Sequence, residues 1–303
     1  MVDGNPQNGG GLHEGLGPVT HRFDSQRLRL SYVDWGNPDK PLLLLVHGGK
    51  DHARNWDWVA ERLRHDWHVV CPDLRGHGDS DWSPDGAYTM EYMACDLANL
   101  VSHLGAEHVN IVSHSYGGAI SLRYTGLFPE KVRRLAVIEG LAAMEDFRVI
   151  HDQPPLSLVD QWRGWIEKRQ AMAAQTPRTF ATIEEGVERM KKGNSKLSDE
   201  QARHLAIWAM RRFESGQYGW KFDPYIQAQQ PMDPSDPERR AIWGAITCPV
   251  LLFHGKESWA HNPAEDGRAA MFRDARVISM EGAGHWVHHD RLDDFVAAVR
   301  EFL

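Results

Sequence analysis

No apolar run in this chain reaches the ~20 residues that a membrane-spanning helix needs. Its start, Met1-Val2-Asp3-Gly4, lacks the basic-then-apolar pattern of a secretory leader, so no membrane association is expected. Cysteine is scarce. Cys71, Cys95 and Cys248 form an odd set without metal-like spacing, and Cys71 and Cys248 sit at predicted strand ends, where buried free thiols are expected in a reducing cytoplasm. Basic residues are outnumbered, with 34 Lys and Arg against 42 Asp and Glu for a formal net charge of −8. Their even spread leaves no basic stripe, which excludes nucleic acid as the expected partner. No pair of histidines has convincing metal spacing: His285 and His289 stand four apart, but no helix is expected there. No metal or cofactor is called for. Internal repeats are absent, and low complexity is confined to residues 1–18, an apolar-poor stretch rich in Gly, Asn and Gln that is expected to be a flexible arm.

At 303 residues the chain can hold one large α/β domain with an inserted subdomain. Strand and helix patterns alternate, as in a mostly parallel sheet covered on both faces. His21–Phe23 and Arg27–Trp35 predict an early hairpin, followed by strand Leu42–His47, helix Trp56–Arg64, strand His68–Pro72 and helix Thr89–Leu104. Val109–Val112 predicts a buried strand, Gly117–Phe128 a helix, and Arg134–Glu139 a further strand. From about Leu141 to Ala245 only helical periodicity is visible, over Leu156–Gln175, Ile183–Lys192, Ser198–Arg212 and Glu238–Ala245. The strand pattern resumes at Pro249–His254, then helix Pro263–Phe272, strand Arg276–Met280 and helix Leu292–Leu303.

Three segments carry chemistry. Ile111-Val112-Ser113-His114-Ser115-Tyr116-Gly117-Gly118 reads as strand, sharp turn and helix, a nucleophile elbow that raises the Ser115 hydroxyl over the sheet edge. Ser113 stands where G-x-S-x-G has its first glycine, and serine is small enough for the turn. Glu281-Gly282-Ala283-Gly284-His285-Trp286 follows a strand, and its glycines free His285 to swing back over the sheet. His47-Gly48-Gly49 follows the apolar strand Leu42–Val46, and its glycines let a backbone N–H face a developing negative charge.

In this order, at these strand ends, the segments resemble the α/β-hydrolase family from about Val19 onward. The resemblance implies a core of residues 19–140 and 246–303 with a helical cap over 141–245. Asp73-Leu74-Arg75-Gly76-His77-Gly78-Asp79-Ser80 is similar to that family's usual loop and is read as structural. Ser115 is then the expected nucleophile, His285 the base, and the N–H groups of Gly49 and Tyr116 the oxyanion hole. The family's usual acid closes a Gly-x-x-Asp, but the chain reads Gly255-Lys256-Glu257-Ser258. Glu139, ending the strand beside the elbow, is the expected substitute, with Glu257 the alternative. Trp259, Trp286 and Lys50 are expected at the substrate pocket, although a solvated loop is an equal reading for Lys50. Such a cap implies small or medium substrates.

The implied activity is that of a serine hydrolase acting on carboxylic esters or related acyl compounds. The alternatives are a carbon–carbon bond hydrolase of the meta-cleavage-product type, a hydroxynitrile lyase and a hydrolase-like ligand receptor.

Overall fold

The computed structural model describes residues 17–141, 156–228, 231 and 234–303. The expected N-terminal arm therefore falls almost wholly outside the described residues. An antiparallel hairpin, β1 (Val19–Ser25) and β2 (Leu28–Asp34), comes first. Strands and helices then alternate through β3 (Leu42–Val46), α1 (Asp57–Leu63), β4 (His68–Pro72), α2 (Met90–His103), β5 (Val109–His114), α3 (Ser115–Leu127) and β6 (Val132–Ile138). The insert contains α4 (Leu158–Ala173), β7 (Thr179–Phe180), α5 (Ile183–Gly193), α6 (Asp199–Ala209), β8 (Met210–Arg212), β9 (Tyr218–Trp220) and α7 (Asp236–Gly244). The alternation resumes with β10 (Val250–Gly255), β11 (Ala275–Met280), the short α8 (Val287–Asp290) and α9 (Leu292–Phe302).

The large sheet has the order β1-β2-β4-β3-β5-β6-β10-β11 and is parallel from β4 onward. Its central strands are apolar on both faces because both faces are covered: every residue of β3 and β5 is buried. On one face α2 and α3 contribute Met93, Leu97, Leu100, Ile120 and Leu122 to the core. On the other, α1 and α9 contribute Val59, Leu63, Phe295 and Val299. Burying each such side chain stabilises the fold by roughly 1.5–3 kcal/mol before the cost of chain ordering.

Two expected helices differ. The helix predicted over Ser198–Arg212 ends at Ala209, and its last three residues pair with β9 as β8, while β7 pairs with the other edge of β9. Strands this short leave no alternation to read, and Met210 is drawn in by a small core with Phe180 and Trp220. Over Pro263–Phe272 only the single turn Ala269–Met271 is helical. There Asn262 accepts from the Ala264 N–H and Asp266 from the Arg268 N–H, turns that compete with helix formation, and Gly267 has a φ of 83°. Among the described residues no helix is long and apolar enough to cross a membrane.

Candidate active site

The sheet register brings three chain-distant residues to one edge. In the β5–β6 pairing the last partners are His114 and Ile138, so Ser115 and Glu139 leave neighbouring strands side by side. Both turn sharply, with φ of 51° at Ser115 and 46° at Glu139, strained values for side chains other than glycine. The strain is held by packing too close for a Cβ. A methyl on Gly117 would stand 2.3 Å from the His47 carbonyl oxygen, and one on Gly140 would stand 2.6 Å from the Gly118 Cα. Ser113 fits because it faces inward, fully buried, and its hydroxyl donates to the Ala136 carbonyl at 3.2 Å.

His285, beyond β11, closes the set. Its Nε2 lies 3.0 Å from Ser115 Oγ, and its Nδ1 lies 2.7 Å from Glu139 Oε2. The carboxylate only accepts, so Nδ1 carries the proton and Nε2 is left to accept from the serine. Glu139 is almost wholly enclosed, with 1% of its side chain exposed. The Gly255 N–H donates to its Oε1 at 2.9 Å, and the Ser258 hydroxyl donates to its Oε2. Ser258, at the position where the family's acid is usual, thus serves the carboxylate that arrives from the next strand. Glu257 is elsewhere: it is exposed and pairs with Lys196 at 2.6 Å.

Beside this relay, burial holds His47 and His114 well below the ordinary histidine value. His47 donates from Nδ1 to the Gly48 carbonyl and accepts the Leu74 N–H on Nε2, which fixes the loop carrying Gly49. A Cβ on Gly49 would lie 3.6 Å from that of Tyr116, so the two residues are adjacent beside Ser115. His114 donates to the His285 carbonyl at 2.9 Å, turned away from the serine. The loop after β4 is internally occupied. Asp73 accepts from the N–H groups of Ala53 and Asp79, and Arg75 makes a buried two-pronged contact with Asp96.

A cleft of about 1860 Å³ opens over Ser115 and is lined from the other side by the insert. It exceeds the roughly 300–1,000 Å³ of an ordinary small-ligand pocket. Trp286 and Lys50 line it, as do Asp51, Trp82 and Trp220. Trp259 is not among the lining residues: it is half-exposed, with its ring 5.0 Å from that of His285. The sequence offers Asp51, beside Lys50 after the oxyanion glycines, as a pocket residue with a solvated loop as the equal reading, but it does not single out Trp82. The order of the motifs reveals the relay, whereas residues reaching one cleft from scattered elements leave no linear signal.

Burial depresses six histidines in and behind the site. His52 and His289 fall to about 3, His77 to about 4, and His47, His114 and His288 well below their ordinary value. Neighbouring cations or histidines add to the effect for five of them. Each stays neutral when folded, whereas the unfolded chain takes up its proton near 6.5. Stability is therefore complete above that value and is lost as pH falls toward 3, at about 1.4 kcal/mol per pH unit for each unopposed histidine. Burial raises Asp51 to about 7 and Asp73 to about 6. These two oppose the loss by binding protons in the folded state before the unfolded chain does, but the histidines outnumber them. The melting temperature should fall steadily between pH 6 and pH 4 in scanning fluorimetry. A flat or rising profile would refute this account.

Residues 41–292 match the alpha/beta hydrolase fold family. The chain is 29% identical over 249 residues to a 3-hydroxybutyrate-oligomer hydrolase of Cupriavidus necator, covering 76% of this chain and 77% of that protein. It is 27% identical over 296 residues to the sn-1-specific diacylglycerol lipase ABHD11 of Mus musculus, covering 92% and 87% respectively. Among solved structures, the thioesterase domain from the curacin biosynthetic pathway superposes with a TM-score of 0.80 at 19% identity, covering 93% of this chain and 99% of that one.

Proposed function

This chain belongs to the α/β-hydrolase family, and we propose that it acts within it as a serine hydrolase of carboxylic esters or related acyl compounds, by way of an acyl-enzyme. The observation that carries the reading is the continuous relay from Ser115 Oγ through His285 to Glu139. Ser115 Oγ attacks the substrate carbonyl while its proton passes to His285 Nε2. Glu139 stabilises the imidazolium that forms. The N–H groups of Gly49 and Tyr116 hold the tetrahedral oxyanion, an interaction whose loss typically lowers rates by on the order of 10²–10³. His285 then protonates the departing alkoxide or thiolate, and afterwards takes a proton from the water that frees the acid.

In this reading residues 141–245 act as a cap that shields the acyl-enzyme from bulk water. A relative named as a lipase and another named as an oligomer hydrolase support hydrolysis as the outcome. A fluorophosphonate should attach to Ser115, as located by peptide mass, and should extinguish p-nitrophenyl ester turnover in proportion to labelling. Labelling at another residue with turnover intact would sink the proposal. Faster cleavage of a dienoic ring-cleavage product than of any ester would replace it with the carbon–carbon reading.

A further inference from the structure

Although the chain as a whole is acidic, its cleft is not. Lys50, Lys168, Arg169, Arg178, Arg189 and Arg211 all line the space over Ser115, and among the described residues only Asp51 and Asp223 oppose them there. Neither acid pairs with a cation of the cleft. Asp51 accepts from the His52 N–H and from Asn55, and Asp223 accepts from the Tyr88 hydroxyl and the Tyr225 N–H. Three of the cations are partly spoken for. Arg169 donates to the carbonyls of Asp85 and Gly86, Lys168 donates to that of Gln227, and Arg211 lies over the rings of Trp82 and Phe213. Lys50, Arg178 and Arg189 have no ion pair with a carboxylate among the described residues.

Placing Lys50 there is costly to the protein alone. Lys50 follows Gly49 directly and has a φ of 64°, so its backbone is strained where it enters the cleft. Burial, with Lys168 and Arg189 adding their repulsion, holds its ammonium below the ordinary lysine value. Like charges on a concave wall focus a positive potential into the space between them and raise the local concentration of anions. All but Lys50 come from the insert: Lys168 and Arg169 from α4, Arg178 from just before β7, Arg189 from α5 and Arg211 from β8. The charge therefore lies opposite the nucleophile, where the part of a substrate remote from the scissile bond would rest.

We infer that the physiological substrate is an anionic acyl compound, whose carboxylate or phosphate group is held by this cationic wall while its acyl carbon lies at Ser115. The inference rests on the serine-hydrolase reading and narrows it to a substrate class.

Two matched pairs test it and separate the two anions. 4-Nitrophenyl hydrogen glutarate against 4-nitrophenyl pentanoate places a carboxylate on the acyl chain. Butyryl-coenzyme A against the butyryl thioester of N-acetylcysteamine places phosphates on the leaving group. At about 0.01 M ionic strength, kcat/KM for at least one anionic member should exceed its neutral partner by about tenfold or more, and the ratio should collapse near 1 M, as the screening length shrinks from roughly 30 Å to 3 Å. The Arg178→Gln/Arg189→Gln double variant should lower that ratio by about threefold or more. Arg276→Gln, a charge removed outside the cleft where Arg276 pairs with Glu301, should not change it. Ratios at or below one in both pairs, or a ratio indifferent to salt and to the double variant, would overturn the inference. If none of the four compounds is turned over, the serine-hydrolase reading fails. Calorimetric binding of monomethyl glutarate and of coenzyme A to the Ser115→Ala protein then decides the charge question alone. Salt-sensitive binding of either supports it, and binding of neither overturns it.

Discussion

Ser115→Ala is expected to lower kcat/KM on p-nitrophenyl acetate by roughly 10⁴–10⁶ while leaving the melting temperature almost unchanged. The first part follows from chemistry, since no other hydroxyl is placed 3.0 Å from His285 Nε2 in the described structure. The second follows from position. The Ser115 side chain faces the cleft rather than the core, so alanine removes no packing. Both residues carry a Cβ and meet the same backbone strain at a φ of 51°, and the glycines that permit the turn are untouched. A variant that kept half the wild-type rate would place the nucleophile elsewhere. A variant that lost rate and stability together would show that the hydroxyl holds the elbow as well.

The fold is legible wherever burial is two-sided. β4 spans the bounds its sequence predicts, because an apolar β-branched run closed by proline has one good solution between helices. Illegible parts are those decided by neighbours distant in sequence. The strands of the insert are two or three residues long and owe their state to a local cluster of Phe180, Met210 and Trp220. The turn-rich stretch after Pro263 has helical spacing, but Asn262 and Asp266 spend their side chains on backbone N–H groups. At the site, Ser115, Glu139 and His285 could be placed because the order of strands fixes which loops meet. Trp259 adjoins a functional loop in sequence, yet it is half-exposed, its ring stands 5.0 Å from that of His285, and it does not line the cleft. The cationic wall is invisible in one dimension, since its six residues come from five separate places in the chain.

Glu139→Gln is the substitution whose outcome separates the proposed acid from its alternative, and the local hydrogen bonds determine which way the amide must sit. Two donors and the imidazole converge on the carboxylate: the Gly255 N–H on Oε1, and both the Ser258 hydroxyl and His285 Nδ1 on Oε2. If the glutamine NH₂ faced Gly255, that side-chain donor and the backbone-fixed Gly255 N–H would oppose each other in a buried place, at a cost of about 1–3 kcal/mol. The favoured orientation therefore keeps its oxygen on Gly255 and turns the NH₂ toward Ser258 and His285. Ser258 adapts by rotating its hydroxyl, which can accept as well as donate. His285 can adapt only by accepting on Nδ1, which moves its proton to Nε2 and leaves nothing to accept from Ser115. The amide also cannot balance the imidazolium. Turnover should fall on the order of 10³–10⁴ with little change in stability. Glu257→Gln removes only an exposed, solvent-screened pair with Lys196, and should alter kcat/KM by less than about twofold. Steady-state kinetics on the two variants side by side measures the difference. A Glu139→Gln enzyme within tenfold of wild type, or a Glu257→Gln enzyme equally impaired, would remove Glu139 from the relay and leave Ser115 and His285 as a pair.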